Sequence, residues 1–356
     1  MSKGIFATLL LFASWSFSAN PPTADVLIRG GHYKQARALL EPELKKNPKS
    51  AGTLLQMARV KMAFGDTGAA IKLSEQVIQT DGKNANAHCM LADASGSIVE
   101  QGPRMLESLR LARQAKKEAE AGLALNPKLT QCLEALVDFY NEAPASVGGS
   151  KDKREEYLQR MVQVDPVAGN LKKGVLALNE KQLDKAEAAF KAALAANPHD
   201  YLANIRLAEL YRSDDVRKYD LAEKFAHTAI SLDPTRTAAY TLIAQVLTIE
   251  GKDSEVNALL GTEEKLIPDD LAPHYQVGRL LLLMNRDFSR AEKLFRKYLT
   301  QEPESEDPFL AAAHWRLAGA LEKQGKKAEA ISELEIAVKL RPDLEGAKQD
   351  LKRLKG

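Results

Sequence analysis

The residues that could carry chemistry in this chain are six histidines, two cysteines and one glycine-rich turn. No histidine lies in an H-E-x-x-H segment or forms a close cluster with cysteine and carboxylate residues, the patterns typical of protein metal sites. The sequence also lacks a G-x-S-x-G nucleophile elbow. We therefore predict no catalytic residue, no metal and no cofactor, and we expect the chain not to be an enzyme.

The two cysteines, Cys89 and Cys132, allow two interpretations. An even number of cysteines in an exported protein favours a disulfide. The alternative is that both are small apolar residues buried in the core. A bridge requires Cα atoms within about 7 Å of each other, and a sequence alone does not give that distance. Both interpretations stay open at this point.

The glycine-rich turn reads Gly148-Gly149-Ser150-Lys151-Asp152-Lys153. Two glycine amides before a helix, with lysines beside them, could hold an anion at the helix N-terminus. The simpler interpretation is a turn lengthened by an insertion, with Ser150 as the N-cap of the next helix. We favour the simpler interpretation. In either case the turn should project from the surface, where it could contact a partner.

A repeated helix pattern must position all of these residues. Between Leu183 and Pro198, Ala186, Phe190 and Ala193 fall on one face of a helix that the proline ends. Small residues let a neighbouring helix approach, and a phenylalanine fills the gap between helices. Turn residues recur along the chain with spacings of 34, 45, 39, 32, 36, 34, 35 and 39: Pro48, Gly82, Pro127, Pro166, Pro198, Pro234, Pro268, Pro303 and Pro342.

This pattern resembles the tetratricopeptide repeat (TPR), which has a period of about 34 residues and a second helix of the form A-x3-F…P. The resemblance runs from about residue 50 to 342. It implies an all-α fold, a TPR α-solenoid in which helix-turn-helix units form a right-handed superhelix. We predict about nine repeats over residues 19–342, followed by a capping helix within 343–356 whose charged face ends the stack.

Two units depart from the regular length. In the third unit we predict an insertion near 95–105, because the first helix should end at Ala94, before Ser95-Gly96-Ser97. A long helix from Met105 to Leu125 should follow. The fourth unit carries an insertion at 143–150, which contains the glycine-rich turn. These insertions could change the radius of the superhelix locally.

The resemblance also implies where a partner would bind. TPR proteins bind partners on a concave groove lined mainly by the first helix of each unit. In this chain the groove should be acidic in the middle, with aromatic and arginine anchors toward the C-terminus. The residues that the family pattern assigns to it are Asp93, Glu134, Asp138, Asn141, Glu209, Arg212, Gln245, Tyr275, Arg279 and Trp315. His88, His274 and His314 fall where the family usually carries Trp, which implies a role in helix packing.

The N-terminus predicts a signal peptide over residues 1–18. Lys3 precedes an apolar run from Ile5 to Trp15, and Ser16-Phe17-Ser18 matches a small-x-small cleavage site. The alternative is an uncleaved first helix of the solenoid. A signal peptide implies an exported protein, periplasmic in a bacterium and otherwise secreted. No other stretch is long and apolar enough to cross a membrane, so we expect no stable membrane insertion after cleavage.

Charge and family resemblance together lead to a function. The chain has 50 basic and 48 acidic residues, a balance that disfavours nucleic acid or an anionic membrane as a partner. We predict an exported, non-enzymatic scaffold or adaptor that binds a segment of another protein, and self-association stays open. The alternative rests on the middle region, whose insertions and APASVGGSKDK turn resemble the TPR component of TRAP-type periplasmic uptake systems. That resemblance implies a role in delivering a small molecule to a transporter.

Overall fold

The computed structural model describes residues 21–100, 105–305 and 309–356, so the predicted signal peptide at 1–18 lies outside it. All regular structure in these residues is helical, which confirms the all-α prediction, and no described helix is long and apolar enough to cross a membrane. The α-helices in chain order are α1 Ala24–Gly30, α2 Tyr33–Lys46, α3 Ala51–Ala63, α4 Thr67–Thr80, α5 Ala85–Glu100, α6 Met105–Leu125, α7 Thr130–Glu142, α8 Lys151–Val164, α9 Pro166–Asn179, α10 Leu183–Ala196, α11 Tyr201–Arg212, α12 Tyr219–Leu232, α13 Thr237–Glu250, α14 Asp253–Leu266, α15 Ala272–Leu283, α16 Phe288–Tyr298, α17 Leu310–Lys323, α18 Lys327–Leu340 and α19 Glu345–Lys355.

The helices pack as a linear array of pairs. Most helices pack on their neighbours in sequence, and most first helices also pack on the first helix of the next pair, as α5 does on α7 and α13 does on α15. The buried apolar residues accordingly form a series of clusters along the array. This is the architecture of a TPR-like α-solenoid, as the sequence predicts.

The pair α9–α10 shows why the small-large-small pattern folds this way. Phe190 and Ala186 on α10 are fully buried. The ring of Phe190 lies against Gly174 on α9, where any added Cβ would overlap the ring. Three helix pairs later, Gly278 on α15 lies against Phe295 on α16 in the same way, and an added Cβ would lie 3.1 Å from the ring. A glycine on one helix therefore gives room for the phenylalanine of its partner.

Helix α5 contradicts the prediction that the first helix of the third unit ends at Ala94, since it continues through Ser95-Gly96-Ser97 to Glu100. The Ser95 hydroxyl donates to the carbonyl of Leu91 at 2.7 Å, and the Ser97 hydroxyl donates to that of Asp93 at 3.1 Å. These bonds satisfy both hydroxyls inside the helix. Packing against the 21-residue α6 then outweighs the weak helix propensity of the three residues.

The insertion at 143–150 folds as a tight turn. Ala145–Val147 form a 3-10 turn, and Ser150 caps α8 by accepting a hydrogen bond from the Lys153 amide at 3.3 Å. The amides of Gly148, Gly149 and Ser150 all donate to backbone carbonyls within the turn or on α7. These N–H groups are therefore not available to an anion, and the structure agrees with the N-cap interpretation.

The array curls until its first unit reaches the turns of its C-terminal half. The guanidinium of Arg37 on α2 donates to both carboxylate oxygens of Glu302, at 3.1 and 2.8 Å. The Gln35 side-chain amide donates to Asp269 at 2.8 Å, and the Lys34 backbone amide donates to Glu304 at 2.8 Å. We call this set of contacts, between residues 32–37 and the turns that precede α13, α15 and α17, the closing contact. It joins the first unit to the C-terminal half of the array.

Candidate functional site

A disulfide stands at the centre of the irregular region. Cys89 on α5 and Cys132 on α7 are joined by a bond, with Cα atoms 4.8 Å apart and both side chains fully buried. Gly122 on α6 lies against the two sulfur atoms, and an added Cβ there would overlap them. The bridge therefore fixes the first helices of adjacent units and lets α6 pack directly over it.

A cavity of about 300 Å³ lies in this same region. One wall comes from the extended part of α5 and from α6, and the opposite wall comes from the end of α7 and the turn at 143–150. Both insertions thus contribute to one cavity, which we call the insertion cavity. Its mostly apolar wall includes Leu109, Ala112, Ala115, Ala135, Phe139, Pro144 and Val147.

Carboxylates supply the polar part of the insertion cavity: Asp93, Asp138 and Glu142. Burial raises the pKa of Asp93 to about 6, although the Gln131 amide donates a hydrogen bond to it at 3.1 Å. Burial also raises the pKa of Asp138. A carboxylate in such a setting lacks solvation, so a cationic or hydrogen-bond-donating ligand group would stabilise its charged form.

Lys172 on α9 pairs with the carboxylates beside this site, a contact that the family's groove positions do not predict. Its ammonium lies 2.6 Å from Asp138 and 3.2 Å from Glu134. Lys172 follows Asp138 by 34 residues and lies on the next first helix. Because the unit between Pro127 and Pro166 is 39 residues long, the regular period does not identify this pair. Lys172 neutralises Asp138 and Glu134 in part, but it makes no described bond to Asp93.

The structure brings only some predicted groove residues together. Asp93 on α5 lies beside Glu134 and Asp138 on α7. Asn141, near the end of α7, and the predicted groove residues on later helices do not join this group. Asn141 accepts a hydrogen bond from Arg154 at 3.1 Å, and Glu209 pairs with Arg206 at 2.8 Å. Arg279 donates to Gln276 at 3.0 Å, and the buried Nε of Arg212 has no hydrogen-bond partner.

The structure does not support the aromatic anchors expected toward the C-terminus. Tyr275 is 5% exposed and packs its ring on Phe295, and Gln245 is 7% exposed. Trp315 donates its indole N–H to Asp350 of the last helix at 2.7 Å. Tyr275 and Gln245 are thus core residues, and Trp315 is held by α19. The physical reason is that aromatic rings at these positions fill gaps between helices instead of facing a partner.

The histidines at the Trp-like positions serve helix packing. His88 Nδ1 lies 2.6 Å from Glu118, and His314 Nδ1 lies 2.6 Å from Glu333, each within its own helix pair. His274 is buried, and burial lowers its pKa to about 4. These contacts link the two helices of one unit, and none of the three histidines lines the insertion cavity.

Comparison with known proteins adds a family relation for part of the chain. The model of the Tetratricopeptide repeat family matches residues 171–237 and 280–345. These segments lie within α9–α13 and α15–α19, the regular part of the array. The comparison with curated proteins finds no match.

Two solved structures share the fold. Yeast Tom70 is 16% identical, with a TM-score of 0.54 over 93% of this chain and 80% of its own. The human IFIT1 dimer with m7Gppp-AAAA is 17% identical, with a TM-score of 0.51 over 93% of this chain and 79% of its own. At these identities the likeness concerns the fold. Residues 171–237 and 280–345 thus carry tetratricopeptide repeats within a helical array whose fold resembles these two structures.

Proposed function

We propose that this chain is an exported, non-enzymatic scaffold that binds a segment of another protein, with a lysine or arginine side chain of that segment in the insertion cavity. The observation that carries the proposal is the cavity itself, in which apolar walls meet the half-buried carboxylate of Asp93. A basic side chain matches this arrangement, because its stem is apolar and its end is charged. The rest of the segment would follow the first helices of neighbouring units.

Cavity variants test this function. Asp93→Asn removes the charge and Ala112→Leu fills the space, so each should reduce recovery of the partner at least tenfold. Glu209→Gln is the matched control, because Glu209 was assigned to the same groove but lies outside the cavity. The measurement is co-purification from the cells that make the protein, quantified by mass spectrometry. Equal recovery with all three variants would remove the cavity from the account.

Export has its own test. If residues 1–18 are a signal peptide, the protein purified from those cells should begin at Ala19. The intact mass measured by mass spectrometry gives the answer directly. A mass that includes residues 1–18 would support the alternative, an uncleaved first helix.

A small-molecule role in solute uptake is the second candidate function. The cavity of about 300 Å³ supports it, since ligand pockets begin at about this volume. The ligand would be a small organic cation with an apolar part. Native mass spectrometry of the purified protein should then detect a bound molecule of low mass that is lost in Asp93→Asn. Detection of a bound peptide instead would favour the scaffold function.

A further inference from the structure

The closing contact brings three potential metal ligands together. One ring nitrogen of His32 and one carboxylate oxygen each from Asp269 and Glu304 lie within 4.8 Å of one another. His32 precedes α2, whereas Asp269 and Glu304 lie in the turns before α15 and α17. Asp269 and Glu304 follow His32 by about 240 and about 270 positions, so no local motif could reveal the group.

Glu304 is the member of this group that most needs a further partner. Its side chain is only 6% exposed, and Oε2 accepts the Lys34 backbone amide at 2.8 Å. Its other oxygen, Oε1, is buried without a hydrogen-bond partner. Burial raises the pKa of Glu304 to about 7. A buried carboxylate oxygen without a partner costs free energy, so the unpartnered Oε1 of Glu304 points to a cation bound at this group.

Lys34 does not fill this role. Its ammonium lies 3.9 Å from Glu304 Oε1, beyond hydrogen-bond distance. The same ammonium donates to the backbone carbonyls of Glu302, at 2.7 Å, and of Asp269. Asp269 and Asp270 also act electrostatically on Glu304, and the guanidinium of Arg37 is bound by Glu302. The acidic groups here therefore outnumber the basic ones even with Lys34 in place.

A hydrogen-bonded chain orients the imidazole of His32. Its Nε2 lies 3.3 Å from the Thr235 hydroxyl, and that hydroxyl donates to Asp233 at 2.6 Å. With the Thr235 proton directed to Asp233, the hydroxyl is able to accept from Nε2–H. In that tautomer Nδ1 carries the lone pair that a metal ion would need. Metal-binding histidines are commonly oriented by such a hydrogen bond from the second ring nitrogen.

We propose that His32, Asp269 and Glu304 bind one divalent transition-metal ion of the zinc class, which fastens the first unit to the C-terminal half. An imidazole nitrogen with two carboxylates suits Zn²⁺, whereas Mg²⁺ and Ca²⁺ prefer sites made of oxygen alone. Three protein ligands leave a fourth position for water. The positive charge of the ion compensates the carboxylate of Glu304. The ion also links parts of the chain that only the closing contact brings near. The sequence predicts no metal, because the three ligands are far apart along the chain.

The test is ZnCl₂ binding to the full chain without a polyhistidine tag, after treatment with EDTA. Isothermal titration should give one Zn²⁺ per chain, and the melting temperature should rise with Zn²⁺ but not with equal Mg²⁺. Glu304→Gln and His32→Ala should each weaken Zn²⁺ binding by more than tenfold and remove the rise in melting temperature. His199→Ala is the matched control, because His199 is an exposed histidine outside the group.

The two variants protect the test against misfolding. Glu304→Gln keeps the shape of the side chain and removes its charge, so far-UV circular dichroism should match that of the unaltered chain. Zn²⁺ binding that disappears in both folded variants and persists in His199→Ala supports the site. No saturable Zn²⁺ binding by the unaltered chain, or equal binding by all variants, overturns it.

Discussion

The helix pairs from α9 to α18 and the helices from α5 to α8 use the same packing rule with different results. In the first region the pairs have near-constant length, and in two of them a phenylalanine packs against a glycine, Phe190 against Gly174 and Phe295 against Gly278. In the second region α6 is 21 residues long and a turn interrupts the array after α7. The extra residues of this region enclose the insertion cavity and surround the disulfide.

The difference indicates which part of the array provides architecture and which part provides a site. Regular units use their large side chains to fill the core, so Tyr275 has no surface left for a partner. The irregular units have longer elements, and the added residues form walls around half-buried carboxylates. Under the proposed function, the departure from the period marks the binding site, whereas the family's usual groove positions do not.

The largest expected effect concerns packing in the regular region. Phe190→Ala should lower the free energy of unfolding by about 4 kcal/mol, because the residue is fully buried and leaves a cavity against Gly174. Urea unfolding followed by circular dichroism measures the loss. Leu202→Ala is the control, since Leu202 is 39% exposed and should cost less than about 1 kcal/mol. A loss below about 1 kcal/mol for Phe190→Ala would break the architectural side of the comparison.

The disulfide should matter only to the irregular region. Reduction should lower the free energy of unfolding by about 3 kcal/mol, because the bridge closes a loop between residues 43 apart in sequence. Hydrogen exchange should show the loss in α5, α6 and α7 and little change in α11–α18. A Cys89→Ala, Cys132→Ala double variant is the control, and reductant should not change it further. Stability that does not respond to reductant would contradict the bridge.

Glu263 should make the stability of the regular region depend on pH. Glu263 on α14 is fully buried without a hydrogen-bond partner, and burial raises its pKa to about 9. Because the folded state holds this proton more tightly, its contribution to stability falls as pH rises from about 4.5 to about 9. The loss is at most about 1.4 kcal/mol per pH unit. Glu263→Gln should flatten that decline.

The neighbouring His274 sets the range in which this decline is visible. Its pKa is lowered to about 4 by burial, so its own contribution falls as pH drops below about 6.5. The two effects oppose each other below that pH, and the decline due to Glu263 should appear between about pH 6.5 and 9. The measurement is the melting temperature of both proteins across that range. Equal slopes for the unaltered chain and Glu263→Gln would mean that Glu263 does not hold a proton in the fold.

The sequence predicted what depends on local spacing. Ala186 and Phe190 indicate a helix pair, and the residues around Pro144 indicate an insertion, because each pattern lies within a single unit. It could not predict that Trp315 is held by Asp350, or that α5 continues past Ser95, since packing on another helix decides each case. The sequence could not predict the closing contact either, because that contact depends on the curvature summed over many units.

The most direct test of the central claim is site-specific photo-crosslinking in the cells that make the protein. A photoreactive amino acid at Leu109 lies at the insertion cavity, and one at Leu202 lies on the exposed face of the regular region. The account predicts a partner crosslinked from Leu109, with a lysine or arginine beside the crosslinked residue, and little product from Leu202. Strong crosslinking from Leu202 and none from Leu109 would contradict it, and would return the binding site to the regular units.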